Sequence, residues 1–218
     1  MNSLTQLESF LIGDHLDVDA LSQMARARIL VVSDTHGHFP TFERIVLKHG
    51  PGSDALLFAG DGIWDVVQYL EKAHEDETYR AALPPVVALV AGNGDGSQYR
   101  VRLKTSDFTM EADESLGTAL TVPSRQVLVA CGHRIFLTHG HHHSVDISLE
   151  LLLNAARVMK CDIAVFGHTH VPFAEDVSSV FALNPGSATR PRGGSHAGFA
   201  IMELETAKKE PRVNFHRV

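Results

Sequence analysis

Five short apolar runs in this chain each end in a turn crowded with aspartate, asparagine or histidine. The runs at 28–32, 55–59, 86–91, 134–138 and 162–166 read as strands. Ser33-Asp34-Thr35-His36 follows the first, Gly60-Asp61-Gly62 the second, and Gly92-Asn93-Gly94-Asp95 the third. His139-Gly140-His141 follows the fourth and Gly167-His168-Thr169-His170 the fifth. In open α/β sheets, ligands bind outside the carboxyl ends of the strands. A fold that places these strands side by side therefore gathers the five turns along one edge.

The remaining pattern supports such a fold. Further strands are expected at 127–131, 179–183, 198–203 and 212–216, and helices at 39–49, 62–74 and 145–160. In the last helix Val145, Leu149, Leu152, Leu153, Ala156 and Met159 form one apolar stripe, which is core spacing. The first half alternates strand and helix, which implies parallel pairing. The second half carries a hairpin over 127–138, turning at Cys131-Gly132-His133, so the sheets are expected to be mixed and covered by helices. With 218 residues the chain fits one domain over 28–218 with appendages. Residues 1–27 read as an N-terminal helical extension, with Leu4, Leu7, Leu11, Leu21 and Met24 as packing positions. Residues 97–126 read as a long, polar, irregular insertion, the kind of segment that is functional or mobile.

Charge and composition narrow the chemistry. A net charge of -7 argues against a protein that coats nucleic acid, where basic surface supplies the affinity. An acidic chain still acts on phosphates when bound metal supplies positive charge. Cys131 and Cys161 form no framework and are expected to be reduced and buried. The N-terminus lacks a basic leader pattern, and no apolar run reaches the roughly 18 residues of a membrane span, so the expected location is cytoplasmic. Histidine is the anomaly: of 14 in the chain, SDTHGH, THGHHH and GHTH hold eight.

Each turn also has an ordinary explanation. Asp34 is a natural cap for the helix near Phe39, Asp61 suits a turn, and Asn93 favours turns intrinsically. His139 is compatible with a simple backbone bond, whereas two histidines one residue apart in GHTH are poor packing choices and good ligands. The equivalence of all five positions is what points to a site. Two carboxylates, one amide and four imidazoles exceed the needs of one open metal ion and suit two, with one carboxylate shared. Mixed imidazole and oxygen ligation favours manganese, iron, zinc or nickel over magnesium or calcium, manganese being the first choice. Two ions about 3.5–4 Å apart suit an in-line phosphoryl displacement and give hydroxide near neutrality.

DTH (34–36), GD (60–61), GN (92–93), THGH (138–141), GHTH (167–170) and NPGS (184–187) resemble the calcineurin-like metallophosphoesterases, in particular their small bacterial and archaeal phosphodiesterase branch. The resemblance covers roughly 28–218 and implies a four-layer α/β/β/α sandwich of two mixed sheets flanked by helices. It implies that Asp34, His36 and His170 hold one metal and Asn93, His139 and His168 the other, with Asp61 bridging. It further implies hydrolysis of phosphodiester bonds by a metal-bridging hydroxide. Many relatives carry a proton-donating histidine directly after the asparagine; here that position is Gly94, as is usual in this branch. Asp95 then has no histidine to orient, and His141 is the candidate donor. Gly94 and Arg192 are assigned to the substrate, with Arg190 beside them, although a solvated arginine pair is the simpler account of Arg190 and Arg192. NPGS reads as a structural turn.

The expected substrate is a small phosphodiester or nucleotide-like molecule, without membrane or extended nucleic-acid partners; a homo-oligomer stays open. A phosphomonoesterase or a nuclease on the same site is the alternative within enzymes. A non-catalytic protein-binding scaffold is the alternative outside them, since a eukaryotic retromer subunit shares the fold with a degraded metal site. The intact ligand set here favours catalysis.

Overall fold

The computed structural model describes residues 1–102, 117–208 and 210–218. The first sheet contains β1 (Arg26–Val32), β2 (Ala55–Phe58), β3 (Val86–Leu89), β11 (Gly198–Glu205) and β12 (Arg212–Arg217), in the order β12-β11-β1-β2-β3. Its β1, β2 and β3 run parallel, while β11 lies antiparallel to β1 and β12 antiparallel to β11. The second sheet contains β6 (Arg125–Ala130), β7 (His133–Thr138), β8 (Ile163–Val165), β9 (Phe173–Val177) and β10 (Val180–Asn184), in the order β6-β7-β8-β10-β9. There β7, β8 and β10 are parallel, and β6 and β9 are antiparallel edges.

Alternation along β1 shows how the layers form. Leu30 and Val32 face the cluster that includes Phe42 and Ile45 of α2 (Phe39–His49) and Val66, Val67 and Leu70 of α3 (Ile63–Glu75). Ile29 and Val31 face the opposite way and pack with Ile135, Leu137, Ile163 and Val165 of the second sheet. The far face of that sheet, with Phe136, Ala164 and Ala182, is covered by Leu152, Leu153 and Ala156 of α5 (Glu150–Val158). The result is the expected α/β/β/α arrangement of two mixed sheets. Strands buried on both faces have to be apolar throughout, which is why the parallel strands read as continuous apolar runs.

Four expectations are refined. Only α1 (His15–Gln23) is helical within 1–27; Asp14 caps it by accepting from Leu16 N. The residues before it form a strap. The buried Asn2 side chain donates to Pro84 O at 2.8 Å and Pro85 O at 3.0 Å, and Ile12 and Val87 exchange backbone bonds at 2.8 Å each. The strap thus covers the open edge of β3, an edge that would otherwise template pairing. A short α4 (Glu77–Ala82) follows α3, and the edge strand β9 precedes β10; neither carries an apolar run. Helix α5 starts at Glu150 rather than 145: His141–His143 form a separate 3₁₀ turn, and Ser144, at φ 50°, interrupts helical backbone before α5. Within 97–126, β4 (Gln98–Val101) and β5 (Thr118–Thr121) pair antiparallel, and β6 begins at Arg125, so the segment is not irregular throughout; 103–116 lie outside the described residues. The two-residue turn between β6 and β7 holds Cys131 and Gly132 at φ 52° and 77°, as a tight hairpin demands.

Candidate metal centre

The five turns meet where β1, β2 and β3 end against the ends of β7 and β8. Backbone bonds stitch them together: Asp34 N donates to Gly60 O at 2.9 Å, His36 N to Asp61 O at 2.9 Å, and Gly167 N to His139 O at 3.0 Å. Asp34, His36, Asp61, His168 and His170 all adopt positive φ, between 48° and 69°. Left-handed conformations at non-glycine residues cost on the order of 1–3 kcal/mol each and persist where the surroundings enforce them. Here they turn side chains from successive strands inward onto one spot.

Two overlapping groups result. In the first, Asp34 Oδ1 lies 3.2 Å from His170 Nε2 and 3.9 Å from His36 Nε2, with the two Nε2 atoms 3.1 Å apart. In the second, His139 Nε2 lies 3.5 Å from Asp61 Oδ2 and 4.0 Å from Asp34 Oδ1. His36 Nδ1 reaches within 4.0 Å of Asp61 Oδ2, which connects the groups. Asp34 and His139 are fully buried, and His170 and Asp61 nearly so. Asn93 and His168 line the mouth together with His36, in a cavity of about 380 Å³ that also exposes Arg190, Pro191 and Arg192.

The donor set fits cations. His139 Nδ1 bonds to Ala59 O at 2.7 Å and His170 Nδ1 to Arg190 O at 2.5 Å, so each presents Nε2 as an acceptor towards the carboxylates. Asp34 Oδ1 and His139 Nε2 are buried without a hydrogen-bond partner among the described residues; the 3.2 Å approach of His170 to Asp34 is not aligned as one. Acceptors turned on acceptors in a buried place call for positive charge between them. Protonation follows the same field. Burial lowers the His139 pKa, but Asp61 and Asp34 outweigh it and leave it raised; contact with Asp34 raises that of His170. Burial pushes the Asp61 carboxyl up, yet His139, the Gly94 amide and His36 together hold it well below the usual carboxylate range. A Cβ at Gly92 would fall on the Asp61 carboxylate, so glycine is required there.

His168 sits differently. Its Nε2 pairs with Asp146 Oδ2 at 2.8 Å, which leaves Nδ1 as the free ring nitrogen. Gly94 directs its amide to Asp61 Oδ1 at 2.8 Å rather than into the cavity. The His141 ring lies 5.4 Å from that of His139, and burial, with His142, His139 and His168 beside it, pushes its pKa down to about 4. His141 is therefore neutral near pH 7, which works against the role of proton donor.

Two aspartates, Asp65 and Asp146, escaped the sequence reasoning, and the role of a third, Asp95, did too. Fully buried Asp65 accepts from Thr35 Oγ1 at 2.5 Å and Gly37 N at 3.1 Å, bracketing His36, and burial raises its pKa. Its signal was available: an acid among the buried Ile63, Val66, Val67 and Tyr69 of α3. Asp146 engages His168, and Asp95 binds backbone amides of the Asp61 turn. NPGS is structural as expected: Asn184 Nδ2 donates to Gly167 O at 2.8 Å and Ser187 Oγ to Asp34 O at 2.8 Å.

A mixed-sheet sandwich with an aspartate–histidine centre at its strand ends defines a class of phosphoesterase folds. Residues 27–207 match the calcineurin-like phosphoesterase superfamily domain, and the chain belongs to that family. It is 30% identical to phosphodiesterase YfcE of Escherichia coli (strain K12) over 180 residues, covering 81% of this chain and 87% of that one. It is 31% identical to the probable metallophosphoesterase YsnB of Bacillus subtilis (strain 168) over 177 residues, covering 81% and 84%. Among solved structures, a predicted phosphoesterase from Streptococcus pneumoniae TIGR4 superposes with TM-score 0.61 at 25% identity, covering 89% of this chain and 94% of that one. Vacuolar protein sorting 29 from Cryptosporidium parvum shares the fold, with TM-score 0.58 at 20% identity and coverage of 88% and 98%. The family is one of phosphoesterases, and relatives of this chain in Escherichia coli and Methanocaldococcus jannaschii are named phosphodiesterases. Among the described residues no helix is long and apolar enough to cross a membrane.

Proposed function

We propose that this chain is a metal-dependent phosphodiesterase with a dinuclear centre: two divalent transition-metal ions, manganese first, when bound would supply charge to the substrate phosphate and a hydroxide nucleophile near neutrality. The observation that carries this reading is the pair of buried acceptors Asp34 Oδ1 and His139 Nε2, unpartnered among the described residues and set between overlapping ligand groups. Asp34, His36 and His170 would hold one ion, and Asn93, His139 and His168 the other, with Asp61 shared. Asp34 lies within reach of both groups, so it also helps to neutralise the charge between them.

The chain's own residues then orient and exclude. Arg190 and Arg192 stand at the cavity mouth, where a phosphate's remaining charge would be met. A cavity of about 380 Å³ suits a small or nucleotide-like diester rather than an extended strand. His141 is left out of the donor role, because its ring stays neutral, and Gly94 acts through Asp61. The free, buried thiols of Cys131 and Cys161 fit a reducing, cytoplasmic setting. The scaffold alternative predicts a degraded site, and every expected ligand residue is present here.

The test is elemental analysis of purified protein, followed by chelation, re-addition of single metals, and a panel of phosphomonoesters and diesters. Up to two ions per chain, and diesterase activity lost on chelation and restored by metal, are expected. Full activity in metal-free protein would refute the reading.

A further inference from the structure

Asp95 borders the metal centre without lining its cavity. Its carboxylate instead collects four backbone amides from two turns. Oδ2 accepts from Asp61 N at 2.7 Å and Gly92 N at 2.9 Å; Oδ1 accepts from Gly62 N at 3.1 Å and Ile63 N at 3.0 Å. Three of these donors belong to the entry of α3, whose first amides have no partner within the helix. A carboxylate is well placed there, both by charge-assisted bonding and by the helix dipole. Gly62 itself makes no side-chain cap, so Asp95 does that work from a different loop.

The neighbouring residue completes the grip. Gly94 N donates to Asp61 Oδ1 at 2.8 Å. The 92–95 turn thus holds Asp61 at both ends, the main chain through Asp95 and the side chain through Gly94. Asp61 needs such restraint, since it sits at φ 55° with its Oδ2 aimed at His139 and His36. We propose that Asp95 is a positioning residue that fixes the direction of the Asp61 carboxylate, and through it the metal affinity, without touching ion or substrate. This rests on Asp61 being a metal ligand. The competing role is a plain helix cap, which would affect stability alone.

An internal control separates the two. Asp54 Oδ2 accepts from Arg28 N at 2.7 Å at the opposite end of β2, remote from the ligands. Full-length wild type, Asp95→Ala, Asp95→Asn and Asp54→Ala would be titrated with Mn²⁺ by calorimetry, and their metal-free unfolding midpoints compared. Asp95→Ala is expected to weaken Mn²⁺ binding by about 10–100-fold. Asp54→Ala should lower the midpoint while keeping wild-type affinity. Asp95→Asn, which keeps one acceptor oxygen, should fall between, and it decides the matter on the same readout if Asp95→Ala does not fold. Wild-type affinity in the Asp95 variants, whatever their stability, overturns the positioning role and leaves the metal centre standing. Wild type that binds no Mn²⁺ overturns both.

Discussion

The metal centre has a buried half and an open half, and they are built by different means. Asp34, Asp61, His139 and His170 are all at most 6% exposed, and each is tied to the backbone of a neighbouring turn. Asn93 is exposed, while His36 and His168 are half-buried at the cavity. The division cuts unequally across the two proposed ion sites. Beside the shared and buried Asp61, one would be held by buried Asp34 and His170 with half-buried His36, the other by buried His139 with half-buried His168 and exposed Asn93. Preorganised ligands lose little freedom on binding, so the first ion should bind more tightly and the second should exchange more readily. The open half is also where substrate must enter.

The sharpest way to break this comparison is to remove Asp61. A shared carboxylate serves both ions and offsets their mutual repulsion, so Asp61→Ala should abolish activity, by about 10³-fold or more given what single charge-stabilising groups contribute. It should lose both ions, with the fold retained by the large core. Asn93→Ala should instead lose one ion and keep measurable activity. Metal content by elemental analysis, read beside kcat/KM, tests the pair. Equal metal loss in both variants would mean that the two halves are not distinct and that Asp61 is not the bridge.

A proton-linked test sharpens the same division. His139 and His170 have raised pKa values, so in the metal-free protein their contribution to stability is fully present below the ordinary histidine value of about 6.5. It is lost as pH rises through their folded values. Asp61, with a lowered pKa, runs the other way, contributing above the ordinary carboxylate value of about 4 and losing that contribution as pH falls. Metal requires the imidazoles deprotonated, so affinity should climb with pH through the histidine window, by up to about tenfold per pH unit for each proton displaced. Calorimetric titrations in buffers of different ionisation enthalpy would count the protons. An affinity independent of pH, or a slope removed by His168→Ala but not by His170→Ala, would shift the proton-linked ligands to the open half.

The same division describes what the sequence discloses. Asp34, His36, Asp61, His139, His168 and His170 are legible because each follows an apolar run and is a residue type that a plain strand end does not require. The supporting acids are not. Asp95 finds three of its four donors at 61–63, more than thirty positions away, and Asp146 meets His168 across 22 positions, so their roles exist only once the turns have met. The partly exposed strands β4, β5 and β9 lack a continuous apolar run for the same reason that buried β1 to β3 display one. The strap over β3 was hidden because its anchors, Asn2 and Gln6, act through backbone oxygens and amides rather than through any pattern of side chains.

The smallest expected effect concerns His141, which belongs to the site's sequence signature but to neither ligand group. General acid catalysis typically contributes about 10²–10⁴-fold, or roughly 3–5 kcal/mol of barrier. Position 94 offers no donor, and a Cβ added there would already lie 3.3 Å from Asp61 Oδ1. The ring of His141, with its pKa near 4, holds no extra proton to give at neutral pH. Leaving groups should then depart largely on their own stability as anions. Nitrophenyl diesters are expected to be cleaved readily and alkyl diesters far more slowly, with kcat/KM falling steeply as the leaving-group pKa rises. His141→Ala should change kcat/KM for an aryl diester by less than about threefold and leave the slope of the series unaltered. A flat series in the wild type, with the chemical step shown to limit the rate, would reveal a strong acid elsewhere in the site. If His141→Ala turns that flat series steep, His141 is the donor, and its ring must be charged in the working enzyme despite the burial that keeps it neutral in the free one.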